Sequence, residues 1–181
     1  KVIKKDIKYL LNLNNELINS LKKNYKYSYK KKLIYKYKKF SNVRIFGMGG
    51  SILGTQAIYD FLKYKIKKKF YFINNLKSFT KKQSTHNFLN IIVSKSGNTT
   101  ETIVNTNICV KKKQENIFIT ENKKSYLHML AQKLKSEIVH HNNYIGGRYS
   151  VLSEVGMLPA ELMGLSSNKF KQFNNLIKNK K

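Results

Sequence analysis

The sequence predicts an α/β fold, a three-layer sandwich with a mostly parallel five-stranded sheet flanked by helices. Three observations carry this expectation. From Val43 onward, short β-branched and aromatic runs alternate with helical stretches, the pattern of βαβ units and of a parallel sheet covered on both faces. The chain has 181 residues, 41% of them hydrophobic, which suffices for one core and argues against wholesale disorder. All nine glycines fall in a few places: Gly47, Gly49, Gly50 and Gly54; Gly97; Gly146 and Gly147; Gly156 and Gly164. In a chain that uses lysine so freely, glycine marks backbone that must turn tightly or approach another group closely.

The elements follow in order. Asp6 to Leu21 carries Leu10, Leu13, Leu17 and Leu21, one apolar stripe on a helix. Lys22 to Lys39 is rich in lysine and tyrosine and reads as a solvated helix or a connector. Val43–Met48 is a short apolar run ending in glycine, hence a buried strand. Ser51 to Lys63 places Ile52, Ala57, Ile58, Phe61 and Leu62 at helical spacing. Lys69–Asn74, Asn90–Ser96, Asn116–Thr120 and Glu137–His140 read as four further strands, with helices over Thr100–Lys111 and Ser125–Leu134. The organisation expected is an N-terminal helical segment over 1–40, a sheet domain over 41–165 and a lysine-rich tail over 166–181. In parallel sheets of this kind, ligands bind beyond the carboxyl ends of the strands where the strand order reverses.

Charge and cysteine usage exclude several classes. Cys109 is the single cysteine, so neither an intrachain disulfide nor a thiolate zinc site fits, and a reducing cytoplasm is the expected home. The N-terminus shows no signal-peptide core, and no run of ~20 apolar residues is available to span a bilayer. The formal net charge is +27, yet all but two of the 36 basic residues are lysines spread along the chain. The exceptions are Arg44 and Arg148. Nucleic-acid sites lean on arginine for bidentate contacts, so the excess reads as lysine filling permissive surface positions, and neither nucleic acid nor membrane is expected as a partner.

Three constellations bear chemistry. Gly47-Met48-Gly49-Gly50-Ser51-Ile52-Leu53-Gly54 joins the first strand to its helix. Exposed amides and the positive end of the helix dipole there favour an anion such as phosphate, and Ser51 is placed to cap the helix and donate its hydroxyl. A dinucleotide fingerprint fails because Ile52 stands where close packing needs glycine or alanine, and a Walker loop lacks its G-K-[ST]. A tight turn without ligand is the plain alternative. Ser94-Lys95-Ser96-Gly97-Asn98-Thr99-Thr100-Glu101-Thr102 offers six hydroxyl or ammonium donors in nine residues at a helix start, a second anion cradle. Ordinary helix capping accounts for one or two of them, not for the density. Gly146-Gly147-Arg148-Tyr149-Ser150 uses an arginine where lysine is the habit. Its planar, permanent charge suits an anionic site or a developing oxyanion, and a structural salt bridge is the alternative. The histidines lack ligand spacing: His86 and His128 stand alone, and the adjacent His140 and His141 point opposite ways on a strand. Cys109 reads as core. No cofactor and no metal are expected.

In this order the three motifs resemble the phosphoglucose isomerase family. Gly147-Arg148-Tyr149-Ser150-Val151-Leu152-Ser153-x-Val155-Gly156-x-Leu158-Pro159 is the most specific stretch, and the first two motifs alone indicate only a sugar-isomerase (SIS) domain. The likeness runs roughly from Val43 to Leu165. It implies an aldose–ketose isomerase of glycolysis and gluconeogenesis acting on glucose 6-phosphate and fructose 6-phosphate. Gly50, Ser51, Ser94, Lys95, Ser96 and Thr99 would hold the sugar's phosphate, and Arg148 would stabilise the enediolate. The family usually has threonine where this chain has Ser96 and a bulkier residue where it has Gly97. It also implies a homodimer, and a glutamate base supplied by sequence that nothing after Leu165 resembles. Neither Glu101 nor Glu154 occupies the base position. With Lys1 in place of a starting methionine, the expectation is a fragment, inactive by itself. A stand-alone SIS module that binds a sugar phosphate and regulates a partner is the alternative.

Overall fold

The computed structural model describes residues 2–13, 15–76 and 87–172. Five strands form one sheet: β1 (Asn42–Phe46), β2 (Lys69–Ile73), β3 (Phe88–Val93), β4 (Glu115–Thr120) and β5 (Glu137–His140). Every pairing is parallel and the order is β2-β1-β3-β4-β5. The expected fold class is therefore observed. The strand order reverses between β1 and β3, so the loops leaving these two neighbours diverge at their carboxyl ends and open a crevice.

Period-2 alternation assigns the side chains to two faces. Val43 and Ile45 of β1, Leu89, Ile91 and Val93 of β3, and Ile117 and Ile119 of β4 join one cluster. Helices α3 (Lys31–Tyr37), α4 (Leu53–Leu62) and α7 (Glu154–Leu162) cover it. Phe46, Ile92 and Phe118 point the other way, under α5 (Thr100–Cys109) and α6 (Tyr126–Lys133), where Cys109, Leu127 and Ala131 complete a second cluster. The same face carries a polar ladder. Arg44, Asn90 and Asn116 stand opposite one another in register across β1, β3 and β4. Arg44 Nε donates to Asn90 Oδ1 at 2.8 Å, and Asn90 Nδ2 donates to Asn116 Oδ1 at 2.8 Å. Cys109 is buried as expected, and burial pushes its thiol up from the ordinary value.

The N-terminal region differs from the sequence reading. The stripe from Asp6 to Leu21 is two helices, α1 (Val2–Asn12) and α2 (Glu16–Ser20). Asn15 Oδ1 accepts from the amides of Leu17 and Ile18, so an asparagine that competes with the ladder starts a new helix. Leu10 is exposed. Lys22–Lys39, read as a solvated helix or a connector, does contain a helix, α3, but the stretch is not merely solvated, because Tyr29, Tyr37 and the following Phe40 are buried in the main core. The signal is a strict alternation, with tyrosines at 25, 27 and 29 between lysines and a serine. Beyond β5 a 3-10 turn (Gly147–Leu152) leads into α7, which the sequence reading left unassigned; Pro159 sits inside it. His86 and the tail beyond residue 172 lie outside the described residues. Among the described residues no helix is long and apolar enough to cross a membrane.

Candidate functional site

Two helix starts face the crevice between β1 and β3. After β1 the chain makes a 3-10 turn at Gly49–Ser51 before α4, and Ile52, not Ser51, takes the N-cap position. No side chain caps α4. This corrects the expected capping role of Ser51: the extra turn lifts its hydroxyl off the helix end, where it makes no hydrogen bond among the described residues. Its amide bonds the Met48 carbonyl at 3.1 Å.

The loop after β3 is built from its own hydroxyls. Ser94, buried, places Oγ 2.9 Å from Thr99 Oγ1. The Gly97 amide donates to both the carbonyl and the hydroxyl oxygen of Ser94, each at 3.2 Å. Ser96 is exposed, and its Oγ accepts from the Asn98 amide at 3.2 Å. Thr99 stands at the N-cap of α5, yet no side chain caps this helix either. The hydroxyls that capping would use are spent on the loop, and the first amides of α5 are left for a ligand. An uncapped helix start with its dipole favours an anion.

Gly97 has φ of +68°, and a Cβ there would run into the Ser125 side chain. Ser125, the N-cap of α6, occupies the space that a side chain at position 97 would need. The Tyr126 amide on Asn98 Oδ1 (2.9 Å) and the Leu127 amide on the Gly97 carbonyl (3.0 Å) then lock α6 to the loop.

Lys95 is half-buried and points along the strand edge. Its Nζ donates to the Asn143 carbonyl at 2.8 Å and lies 3.6 Å from Glu121 Oε1. Burial alone would raise Glu121, but Lys123 and Lys95 outweigh it and hold the carboxyl below the ordinary range. His141 is fully buried while His140 is exposed, the alternation expected of a strand end. Burial pushes the His141 ring below its usual range, so it sits neutral. Among the described residues no three His, Cys, Asp or Glu side chains are placed to hold a metal.

The Arg148 turn abuts the first loop. A Cβ on Gly50 would overlap the Gly147 carbonyl, so only glycine permits this approach of two backbones. Ser150 Oγ donates to the Gly147 carbonyl at 2.7 Å and lies 3.4 Å from that of Gly50. Ser153 Oγ donates to the Ser150 carbonyl at 2.7 Å. Arg148 itself is exposed, with no ion pair among the described residues, which removes the salt-bridge alternative. The structure thus joins Gly50, Ser51 and Arg148 through one backbone contact, and Ser94, Ser96 and Thr99 through one loop. Both groups stand at the carboxyl edge, on either side of the strand reversal. Sequence reasoning missed Ser125 and the Asn143 carbonyl, which carry no motif of their own.

A family model described as phosphoglucose isomerase matches residues 31–179, a wider span than the motifs alone mark. Glucose-6-phosphate isomerase of Methanocaldococcus jannaschii is 36% identical over 142 residues, 72% of this chain and 35% of that protein. The enzyme of the same name from Acholeplasma laidlawii is 33% identical over 157 residues, 76% of this chain and 37% of its own length. The chain thus spans about a third of the length of these curated relatives. Among solved structures, hypothetical protein TT0462 of Thermus thermophilus superposes with a TM-score of 0.71 at 16% identity, covering 97% of this chain and 46% of that one. Tagatose-6-phosphate ketose/aldose isomerase of Escherichia coli gives 0.58 at 15%, covering 80% and 45%. Protein c3406 of Escherichia coli CFT073 gives 0.55 at 17%, covering 94% of this chain and 96% of that one. These structural likenesses establish a sugar-isomerase fold, and the sequence match establishes the rest: the chain belongs to the phosphoglucose isomerase family.

Proposed function

We propose that this chain is the phosphate-binding portion of a glucose-6-phosphate isomerase, a cytoplasmic and dimeric enzyme that interconverts glucose 6-phosphate and fructose 6-phosphate. One observation carries the reading. Two uncapped helix starts and the turn bearing an unpaired arginine meet at the strand reversal, with hydroxyls lining one side. Ser51, Ser94, Ser96, Thr99 and the Gly50 amide hold the phosphate. Lys95, tethered to Asn143 and Glu121, supplies positive potential. Arg148 lies where the enediolate oxygens form as a proton moves between C1 and C2, and a fixed cation aimed at developing charge lowers the barrier.

The general base belongs to sequence outside these residues. Glu154 is buried with its oxygens engaged by Tyr25 and Ser28, and Glu121 is held by two lysines. Neither is available to take a proton from a substrate. Calorimetry on the purified chain tests the proposal: glucose 6-phosphate binds, inorganic phosphate competes, and isomerisation is absent. Turnover by the chain alone overturns the placement of the base, and absence of binding overturns the site. A second reading, a stand-alone module that binds a sugar phosphate and regulates a partner, draws support from the near-complete match to the single-domain-sized c3406 chain. Joining this chain to the remaining portion of a relative separates the two, since only the enzyme reading gains turnover.

A further inference from the structure

Six residues beyond Arg148, at the first position of α7, Glu154 is 2% exposed in a chain that carries only nine acidic residues. Tyr25 Oη donates to its carboxyl oxygens at 3.1 and 3.4 Å, and the Ser28 amide donates to Oε1 at 3.1 Å. Behind Tyr25, the buried Lys171 ammonium lies 4.5 Å from the Tyr25 ring centroid and 4.3 Å from that of Tyr27, and among the described residues no hydrogen-bond acceptor reaches it. The rings hold each other at 5.3 Å, edge to face. The segment bearing Tyr25 and Ser28 thus meets the start of α7 at one carboxyl group, with Lys171 on the rings of Tyr25 and Tyr27 behind it. Tyr25 and Ser28 precede residue 31, where the family match begins.

We infer that Glu154 is a positioning residue for Arg148, anchored by Tyr25 and Ser28 and backed by the caged ammonium of Lys171. The inference rests on the role proposed for Arg148 above. Its mechanism is a relay of short bonds. Ser153, next to Glu154, bonds the Ser150 carbonyl, and Ser150 bonds the Gly147 carbonyl that presses on Gly50. The turn carrying Arg148 is thus fixed at its start by Gly50 and at its end by Glu154. Releasing the far end leaves the phosphate loop at Ser94–Thr99 untouched, because that loop is closed by its own bonds and by α6. Preorganisation of a charged group aimed at the reacting atoms is what such an anchor supplies.

The test uses the full chain and three ligands: inorganic phosphate, glucose 6-phosphate, and a five-carbon aldonic acid phosphate whose carboxylate stands where the enediolate forms. Glu154→Ala is expected to bind inorganic phosphate within about twofold of the unaltered chain but to lose roughly tenfold of the preference for the aldonate over glucose 6-phosphate. Glu154→Gln, which keeps an acceptor for Ser28, recovers part of that preference. Tyr25→Phe, which removes one hydroxyl and carries the test if Glu154→Ala does not fold, loses a few-fold. An unchanged preference in Tyr25→Phe and Glu154→Ala overturns the inference, as does an equal loss for all three ligands, which marks a merely structural role. If the unaltered chain binds the three ligands without preference, the role of Arg148 fails first. If it binds none of them, the phosphate site itself fails.

Discussion

The Ser94 hydroxyl lies 2.9 Å from that of Thr99, across the mouth of a loop whose Gly97 amide also points at Ser94. Either hydroxyl can donate to the other, and Ser94 Oγ also accepts from the Gly97 amide, so the pair ties the two ends of the loop together. Ser94→Ala with Thr99→Ala removes both the loop tie and the ligand donor. Phosphate and sugar-phosphate affinity should fall roughly tenfold to a hundredfold, at ~1–2 kcal/mol for each hydrogen bond to a charged group. Arg148→Lys should leave phosphate affinity nearly intact and weaken an enediolate mimic instead. Calorimetric titration of both variants checks this, and equal losses in both refute the division of roles.

Gly97 tests the same loop from the side of stability. Its positive φ disfavours any other residue, and a Cβ meets Ser125 and comes within 3.0 Å of Thr120 Oγ1. Gly97→Ala should cost about 2–4 kcal/mol in denaturant unfolding, from the backbone conformation and the overlap together. Gly97→Ala combined with Ser125→Gly, which clears the overlap, should recover part of that. The remaining cost, ~1 kcal/mol, is the left-handed backbone itself. No recovery in the double variant means that Ser125 is not what excludes a side chain.

Arg44 shows that a scarce arginine need not mark a ligand site. It is buried on the α5 face, donating from Nε to Asn90, from its Nη2 group to the Cys109 carbonyl at 3.3 Å and to Gln114 Oε1 at 3.1 Å. Its guanidinium lies 4.5 Å from the Phe88 ring centroid. Lysine cannot reproduce this fan of donors, so Arg44→Lys should destabilise by ~1–3 kcal/mol with sugar-phosphate affinity unchanged. Thermal unfolding and calorimetry on one sample decide it. A lost ligand affinity with unchanged stability contradicts the structural assignment.

Much of the fold was legible because the strands are short β-branched and aromatic runs set between helical stretches, and β5 carries the bounds its sequence suggests. The three motif loops were legible for a related reason, since anion-binding backbone selects glycine, which a lysine-filled chain otherwise uses sparingly. What escaped is what lysine masks. Of the alternating tyrosines, Tyr29 is buried in the core, Tyr27 packs against it and Tyr25 is half-buried, while Lys26 and Lys30 between and beyond them face water, and the lysine count hid the period of two. Glu154 escaped because its partners lie 126 and 129 residues away in sequence. Ser51 at a cap position was misplaced because a 3-10 turn adds a residue before α4, an offset of backbone geometry that side-chain identity does not encode.

Lys171 offers the last prediction, on pH. Burial lowers its pKa from 10.5 to about 8, and the charge of Glu154 only partly opposes the shift. The folded chain therefore binds fewer protons at this site than the unfolded chain between about pH 8 and 10.5, so its contribution to stability rises with pH across that window. Below pH 8 the ammonium is charged in both states and its burial cost is constant and full. Lys171→Met, similar in length and without charge, should be more stable than the unaltered chain at pH 7 by on the order of 1–3 kcal/mol. That advantage should shrink steadily toward pH 10. Tyr25, Tyr27 and Tyr29 are pushed up by burial, so the folded state resists their ionisation and both proteins lose stability above about pH 10. The tyrosines are common to the two proteins and cancel in the difference, which isolates the lysine. Urea unfolding of the pair at pH 7, 8, 9 and 10 measures it. A difference independent of pH shows that Lys171 keeps an ordinary affinity for its proton, and that the cation–π contacts with the two rings offset its burial.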